Sequence, residues 1–209
     1  MDKLDYNLMK SYLLNLSDKI MAEKDYLSKL DAECGDGDFG IGMYKGFQNA
    51  KKAIEHRQDG DIGALLNAFG SAILSSVGGA SGPMLGTLFI EAGRTVKGKG
   101  EVDLSDLSRM FQASLEKMQL RGGARVGDKT LIDALYPAVE ALKQAAEARD
   151  GLRHALKAAA EAARKGAEST RDLIAKHGKA RYLGEQTLGH LDPGAEVIEL
   201  IFETLSDSV

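Results

Sequence analysis

The chain has 209 residues and a net charge of −4, enough to bury a sizeable core as one domain, residues 1–209. Its lysines and arginines are scattered, which excludes the basic face of a nucleic-acid binder. The single cysteine makes no internal disulfide and points to a reducing cytoplasm.

The N-terminal stretch spaces Leu4, Leu8, Tyr12, Leu16 and Ile20 at four-residue steps. That periodicity, with acidic residues and no cleavage site, predicts a first helix and not a signal peptide. Next comes "LDAECGDGDFG", which crowds Asp31, Asp36 and Asp38 among Gly35, Gly37 and Gly40. It reads either as a solvated turn or as a clamp whose like charges are offset by a cation. The donors are all oxygen, which suits magnesium, manganese or calcium over zinc. An EF-hand is disfavoured, because the twelfth position from Asp36 is Phe47 and not a glutamate. Magnesium usually keeps few protein carboxylates, so three of them hint at more than one ion shared with a phosphate chain. Cys34 is expected to be a small buried residue, since no histidine is near it in sequence to activate a thiolate.

From Ile62 to Ile90 there is no charge, yet "SVGGASGP" interrupts the run. Two buried helices joined by a functional loop are expected there, rather than a membrane span. Pro83 suits a first helical position with Ser81 or Gly82 as cap. The amides of Gly79, Ala80 and Ser81 would then favour a phosphate, although an ordinary capped helix start fits the same residues. Leu104, Leu107, Phe111, Leu115 and Met118 mark the next helix. In "GGARVGDKT", Gly122 and Gly127 have Walker A spacing, but Asp128 precedes Lys129-Thr130 and no strand leads in. Asp128 is instead expected to cap a helix running from Lys129 through Leu131, Leu135, Val139 and Leu142. An alanine-rich helix is expected within Leu152 to Ala175, and a last one after Asp192 as cap and Pro193 in the first turn. No alternating β-branched run appears, so the fold class is all-α with about eight helices.

Four glycine-rich junctions, "LDAECGDGDFG", "LLSSVGGASGPMLGT", "RGGARVGDKTLIDAL" and "YLGEQTLGHLDPGA", occur in that order. Together they resemble the nucleotide-binding L subunit of bacterial dihydroxyacetone kinases, which is also the C-terminal module of single-chain ATP-dependent ones. The resemblance covers nearly the whole chain. It implies a closed barrel of eight antiparallel helices with ADP or ATP held by loops at one end. Asp31, Asp36 and Asp38 match the aspartates that coordinate two magnesium ions. Phe39, Gly40, Ile41 and Gly42 follow at nucleotide-lining positions, as do Gly79, Ala80, Ser81, Gly122, Thr130, Leu131, Lys179, Asp192, Pro193 and Gly194. No catalytic side chain is implied beyond the metal clamp, because phosphoryl transfer needs alignment and charge neutralisation more than a nucleophile. His190 matches a family position, and a structural bond to a neighbouring loop is expected of it.

The resemblance further implies a separate K subunit that holds dihydroxyacetone. It also implies, in the phosphoenolpyruvate-linked branch, a phosphotransferase-system M subunit that rephosphorylates bound ADP. A free-standing chain of this length leans to that branch. Two departures complicate the choice: Phe39 and Gly42 stand where that branch usually has histidine and asparagine. Phe39 is expected to act as an apolar anchor for its loop. Lys179 stands where arginine is common, which keeps the charge but not the planar grip. An ATP-dependent kinase for dihydroxyacetone or a tetrulose is the alternative. A non-catalytic nucleotide-binding adaptor and a carrier of an apolar ligand in a hollow interior are others.

Overall fold

The computed structural model describes residues 3–209; Met1 and Asp2, at the head of the predicted first helix, lie outside them. Among the described residues there are nine α-helices, one more than the sequence periodicity indicates. They are α1 (Tyr6–Ala22), α2 (Lys24–Cys34), α3 (Phe39–Ile54), α4 (Ile62–Ser76), α5 (Ser81–Thr95), α6 (Leu104–Gly122), α7 (Leu131–Ala148), α8 (Leu152–Ser169) and α9 (Pro193–Asp207). Neither α2 nor α3 is among the helices that the apolar spacing marks; α2 buries only Leu27 and Leu30 and so carries little apolar pattern. A second difference is a small antiparallel sheet of β1 (Lys3–Asp5) and β2 (Glu101–Asp103). Three-residue strands are too short for alternation to register in sequence. Leu4 faces Val102 across the pair, and both are buried. The residues that end the strands, Asp5 and Asp103, cap α1 and α6 by accepting from Leu8 N and Asp106 N.

α1 packs on α3, α3 on α4, and each later helix on the next as far as α9, which returns to α1. α2 leaves this succession and lies against α3, α9 and the 3-10 segment Ala180–Thr187. The uncharged run forms α4 and most of α5, whose backbones approach closely at glycines. A Cβ on Gly70 would lie 2.7 Å from Gly86 O, and one on Gly86 would lie 2.9 Å from Gly70 O. Those glycines are therefore packing residues, since small side chains shorten the interaxial distance. No helix among the described residues is long and apolar enough to cross a membrane.

The interior is filled. Phe69 meets Phe47 and Phe89 edge to face at centroid distances of 5.8 and 4.9 Å. A void of about 10 Å³ remains beside Met9, Tyr12, Leu88 and Phe111, room for at most a single water. That void is too small for an apolar ligand.

Glu196, Glu199 and Glu203 line one face of α9, with Glu168 of α8 nearby. Burial, and then these like charges, push Glu199 up to about 7. A carboxyl whose folded pKa exceeds its unfolded one binds more protons when folded, so stability falls as pH rises from about 4.5 through 7. Glu199→Gln is expected to raise stability at pH 8 by about 1–2 kcal/mol, a few degrees in Tm, and to change little at pH 4. Thermal melts at the two pH values check this.

Candidate metal and nucleotide site

The acidic loop starts on a helix and ends on one. Asp31 is in the last turn of α2, while Asp36 and Asp38 follow in the connection to α3. One carboxylate oxygen from each lies within 4.8 Å of the others. Backbone geometry produces this convergence. Gly37 adopts φ +76°, a left-handed conformation that side-chained residues rarely take. Gly35 lies so close to Asp31 that a Cβ there would meet its carboxylate and lie 2.9 Å from its carbonyl oxygen. Asp31 also accepts from the amide of Phe39 at 3.3 Å, which ties the start of α3 to the end of α2.

Asp36 and Asp38 are exposed, and Asp36 pairs with the Lys179 ammonium. That hydrogen bond holds the Asp36 carboxyl below the usual carboxylate range and raises Lys179. One ammonium against three carboxylates leaves a net negative cluster of hard oxygen donors. These residues fit magnesium in donor chemistry.

The four junctions meet in a ring. Gly42 and Gly46 of α3 face Val77, which leads into the Gly78-Gly79-Ala80 turn. Met84 of α5 covers Gly122 at the end of α6, where a Cβ would lie 2.9 Å from Met84 Cε. Leu131 at the start of α7 lies against Gly194, whose Cβ would be 3.3 Å from that of Leu131. The ring closes through Lys179 to Asp36 and through His190 Nδ1 to Glu33 Oε2 at 2.9 Å. His190 thus makes the structural bond expected of it.

Several local details differ from the sequence expectations. Helix α5 begins at Ser81 with Ala80 as its cap residue, so Pro83 lies inside the first turn and neither Ser81 nor Gly82 caps it. Gly79 takes φ +68°, and nothing lies within 4 Å of where its Cβ would be, so the turn faces open space. Asp128 does not cap the helix after it. Thr130 does, in a capping box with Asp133, and the helix starts at Leu131. Asp128 is taken up by the amide of Arg125 and by Lys176 and His177. Asp192 and Pro193 behave as expected: Asp192 accepts from Ala195 N at 2.8 Å and Pro193 opens α9. Burial pushes the Asp192 carboxyl up to about 7.

Cys34 is half-buried rather than buried, and burial raises its thiol pKa, which keeps it unreactive. Phe39 is half-buried against the core. Ile41 is exposed, and Gly40 is buried against α2. Sequence reasoning missed Lys129, which is buried at 4% exposure with its ammonium on the carbonyls of Thr170 and His190. Its appearance in "GDKT" signalled only a failed Walker A loop.

Residues 33–207 match the DAK2 domain family. The chain belongs to the DAK2 family. Among DAK2 relatives it is 39% identical over 196 residues to the ADP-binding subunit DhaL of the PEP-dependent dihydroxyacetone kinase of Escherichia coli K12, covering 94% of this chain and 93% of that one. It is 33% identical to the D-erythrulose kinase of Mycolicibacterium smegmatis, over 93% of this chain but 34% of that enzyme. The dihydroxyacetone kinase of C. freundii, crystallised with AMP-PNP and Mg2+, superposes over the whole of this chain and 35% of its own with a TM-score of 0.74 and 27% identity.

Proposed function

We propose that this DAK2 chain is the ADP-binding subunit of a dihydroxyacetone kinase, a phosphotransferase that works as one domain in a reducing cytoplasm. The observation that carries this reading is the convergence of Asp31, Asp36 and Asp38 where four glycine-rich junctions meet. Asp31, Asp36 and Asp38 would hold two magnesium ions, which when bound neutralise the charge of a phosphate chain. The open turn at Gly79, Ala80 and Ser81 offers backbone amides to phosphate, and Lys179 offers a cation. Ile41, Gly42, Gly122, Thr130 and Asp192-Pro193 would line the rest of the mouth, whereas Phe39 and Gly40 pack inward and Leu131 lies buried against Gly194. The packing order from α1 through α3 to α9 and back supports a closed barrel of eight helices, with α2 beside its mouth.

Identity is 35–41% to four PEP- or PTS-dependent subunits and 33–36% to three erythrulose kinases, with the E. coli subunit and one Listeria innocua subunit, at 39% and 41%, above the overlap. That favours a donor relay from phosphoenolpyruvate through an M subunit, with the acceptor dihydroxyacetone carried on a K subunit. Large apolar side chains are exposed in and beside the junctions: Leu120 in the last turn of α6 is 79%, Tyr182 78% and Val126 54% exposed. Such side chains suit the docking of a partner that must bring its substrate to the phosphate.

Purified protein is expected to carry ADP with magnesium and to phosphorylate dihydroxyacetone only when the K subunit and the phosphoenolpyruvate relay are both supplied. Turnover with ATP alone would select the ATP-dependent alternative. A tetrulose preferred over dihydroxyacetone would move the substrate. Nucleotide binding without turnover under any donor would leave the adaptor reading.

A further inference from the structure

We propose that Lys129 is a positioning residue that locks the 171–189 segment, and with it Lys179, over the acidic loop; its role in nucleotide retention rests on the function proposed above. Two features of Lys129 are each unfavourable. Its backbone takes φ +58°, a conformation that strains a side-chained residue. Its ammonium is buried and held by carbonyls, so its charge has lost water without gaining a bonded carboxylate. Burial accordingly pushes its pKa below the ordinary lysine value.

The bonds themselves indicate what these costs support. The two carbonyls, of Thr170 and His190, stand at either end of the 171–189 segment. Those ends are also joined by Gly189 N to Arg171 O at 2.7 Å and by Asp192 N to Thr170 Oγ1 at 3.0 Å. A single ammonium thus bridges both sides of the neck of a closed loop. The outer part of that loop carries Lys179 to Asp36, and its end leads directly into Asp192-Pro193-Gly194. Without the ammonium, two inward carbonyls lose a charged donor, and the neck, left with its remaining hydrogen bonds, opens more readily than the helical core.

Lys129→Gly and Lys129→Met test this. Glycine accepts φ +58° without strain, and methionine keeps most of the apolar stem. Hydrogen exchange on nucleotide-free protein is expected to show the amides of 171–189 exchanging at least about tenfold faster in both variants, with those of α4 and α5 unchanged. ADP affinity in magnesium is expected to fall by at least about tenfold in parallel. Wild-type exchange across 171–189 in both variants would overturn the proposal. A uniform loss of protection that included α4 and α5 would also overturn it, because Lys129 would then serve general stability. So would an opened segment with ADP affinity intact. Wild-type protein that fails to bind ADP with magnesium would overturn the nucleotide reading itself, while the exchange data would still decide whether Lys129 locks the neck.

Discussion

Asp36→Asn is expected to abolish magnesium-dependent ADP retention and to lower phosphoryl-transfer turnover by about 10²–10³-fold while leaving the helical content intact. Asp36 is the cleanest of the three aspartates to test. Its side chain is exposed and, among the described residues, pairs with the ammonium of Lys179, so it contributes little to the packing of α2 or α3. An exposed pair of this kind adds little to stability, and its loss leaves the fold in place. Asp31 does not offer that separation, because it also accepts from Phe39 N and lies under Gly35. Asparagine keeps the size and one oxygen acceptor of aspartate but removes the charge that a hard cation requires. Circular dichroism and ADP titration in magnesium check the two halves of the expectation. If Asp36→Asn retained both affinity and turnover, the carboxylates would not be the metal clamp.

Gly40→Ala is expected to lower Tm by about 5–10 °C, corresponding to a net loss of about 2–3 kcal/mol. A Cβ on Gly40 would lie 2.6 Å from Ser28 Oγ, 2.7 Å from Ser28 N, and closer still to the Lys24 carbonyl. Two of those atoms are backbone, so α2 and α3 must separate, and the gain in helix propensity of about 1 kcal/mol offsets only part of the cost. Separation of α2 from α3 also moves Asp31 away from Asp38, so ADP retention is expected to weaken with stability. Gly42→Ala is the control. Its Cβ would sit 3.7 Å from Val77 Cγ1, an ordinary contact, and the substitution is expected to be neutral or to stabilise α3 by up to about 1 kcal/mol. Thermal melts of the pair distinguish the two glycines; equal stability would mean that α2 and α3 do not touch at Gly40.

These two glycines, two residues apart, mark how far the sequence could be read. The acidic loop was legible because its residue types are chemically narrow: three carboxylates among glycines suit either water or a hard cation. The helices with long apolar stripes were legible for the same kind of reason, and α9 even kept its cap at Asp192 and its opening Pro193. α2 was not, since Leu27 and Leu30 leave too few buried positions to set a period. The β1–β2 pair is too short to announce itself. Glycine was ambiguous throughout. Gly37 and Gly79 take left-handed backbone in loops, whereas Gly40, Gly70 and Gly86 are helical and exclude a side chain by contact with another helix. Sequence spacing does not separate those uses, because the contacting backbone comes from a different element. Lys129 was hidden for a related reason. Its partners, Thr170 and His190, lie 41 and 61 residues away and are bound through carbonyls that every residue type possesses.

The most direct test of the account is the anomalous scattering of manganese in a crystal grown with ADP, with manganese replacing magnesium. Metal density is expected among the carboxylates of Asp31, Asp36 and Asp38, bridged to the diphosphate, with the turn at Gly79, Ala80 and Ser81 against the same phosphates. Bound ADP with those three side chains turned to solvent and no metal between them would contradict it.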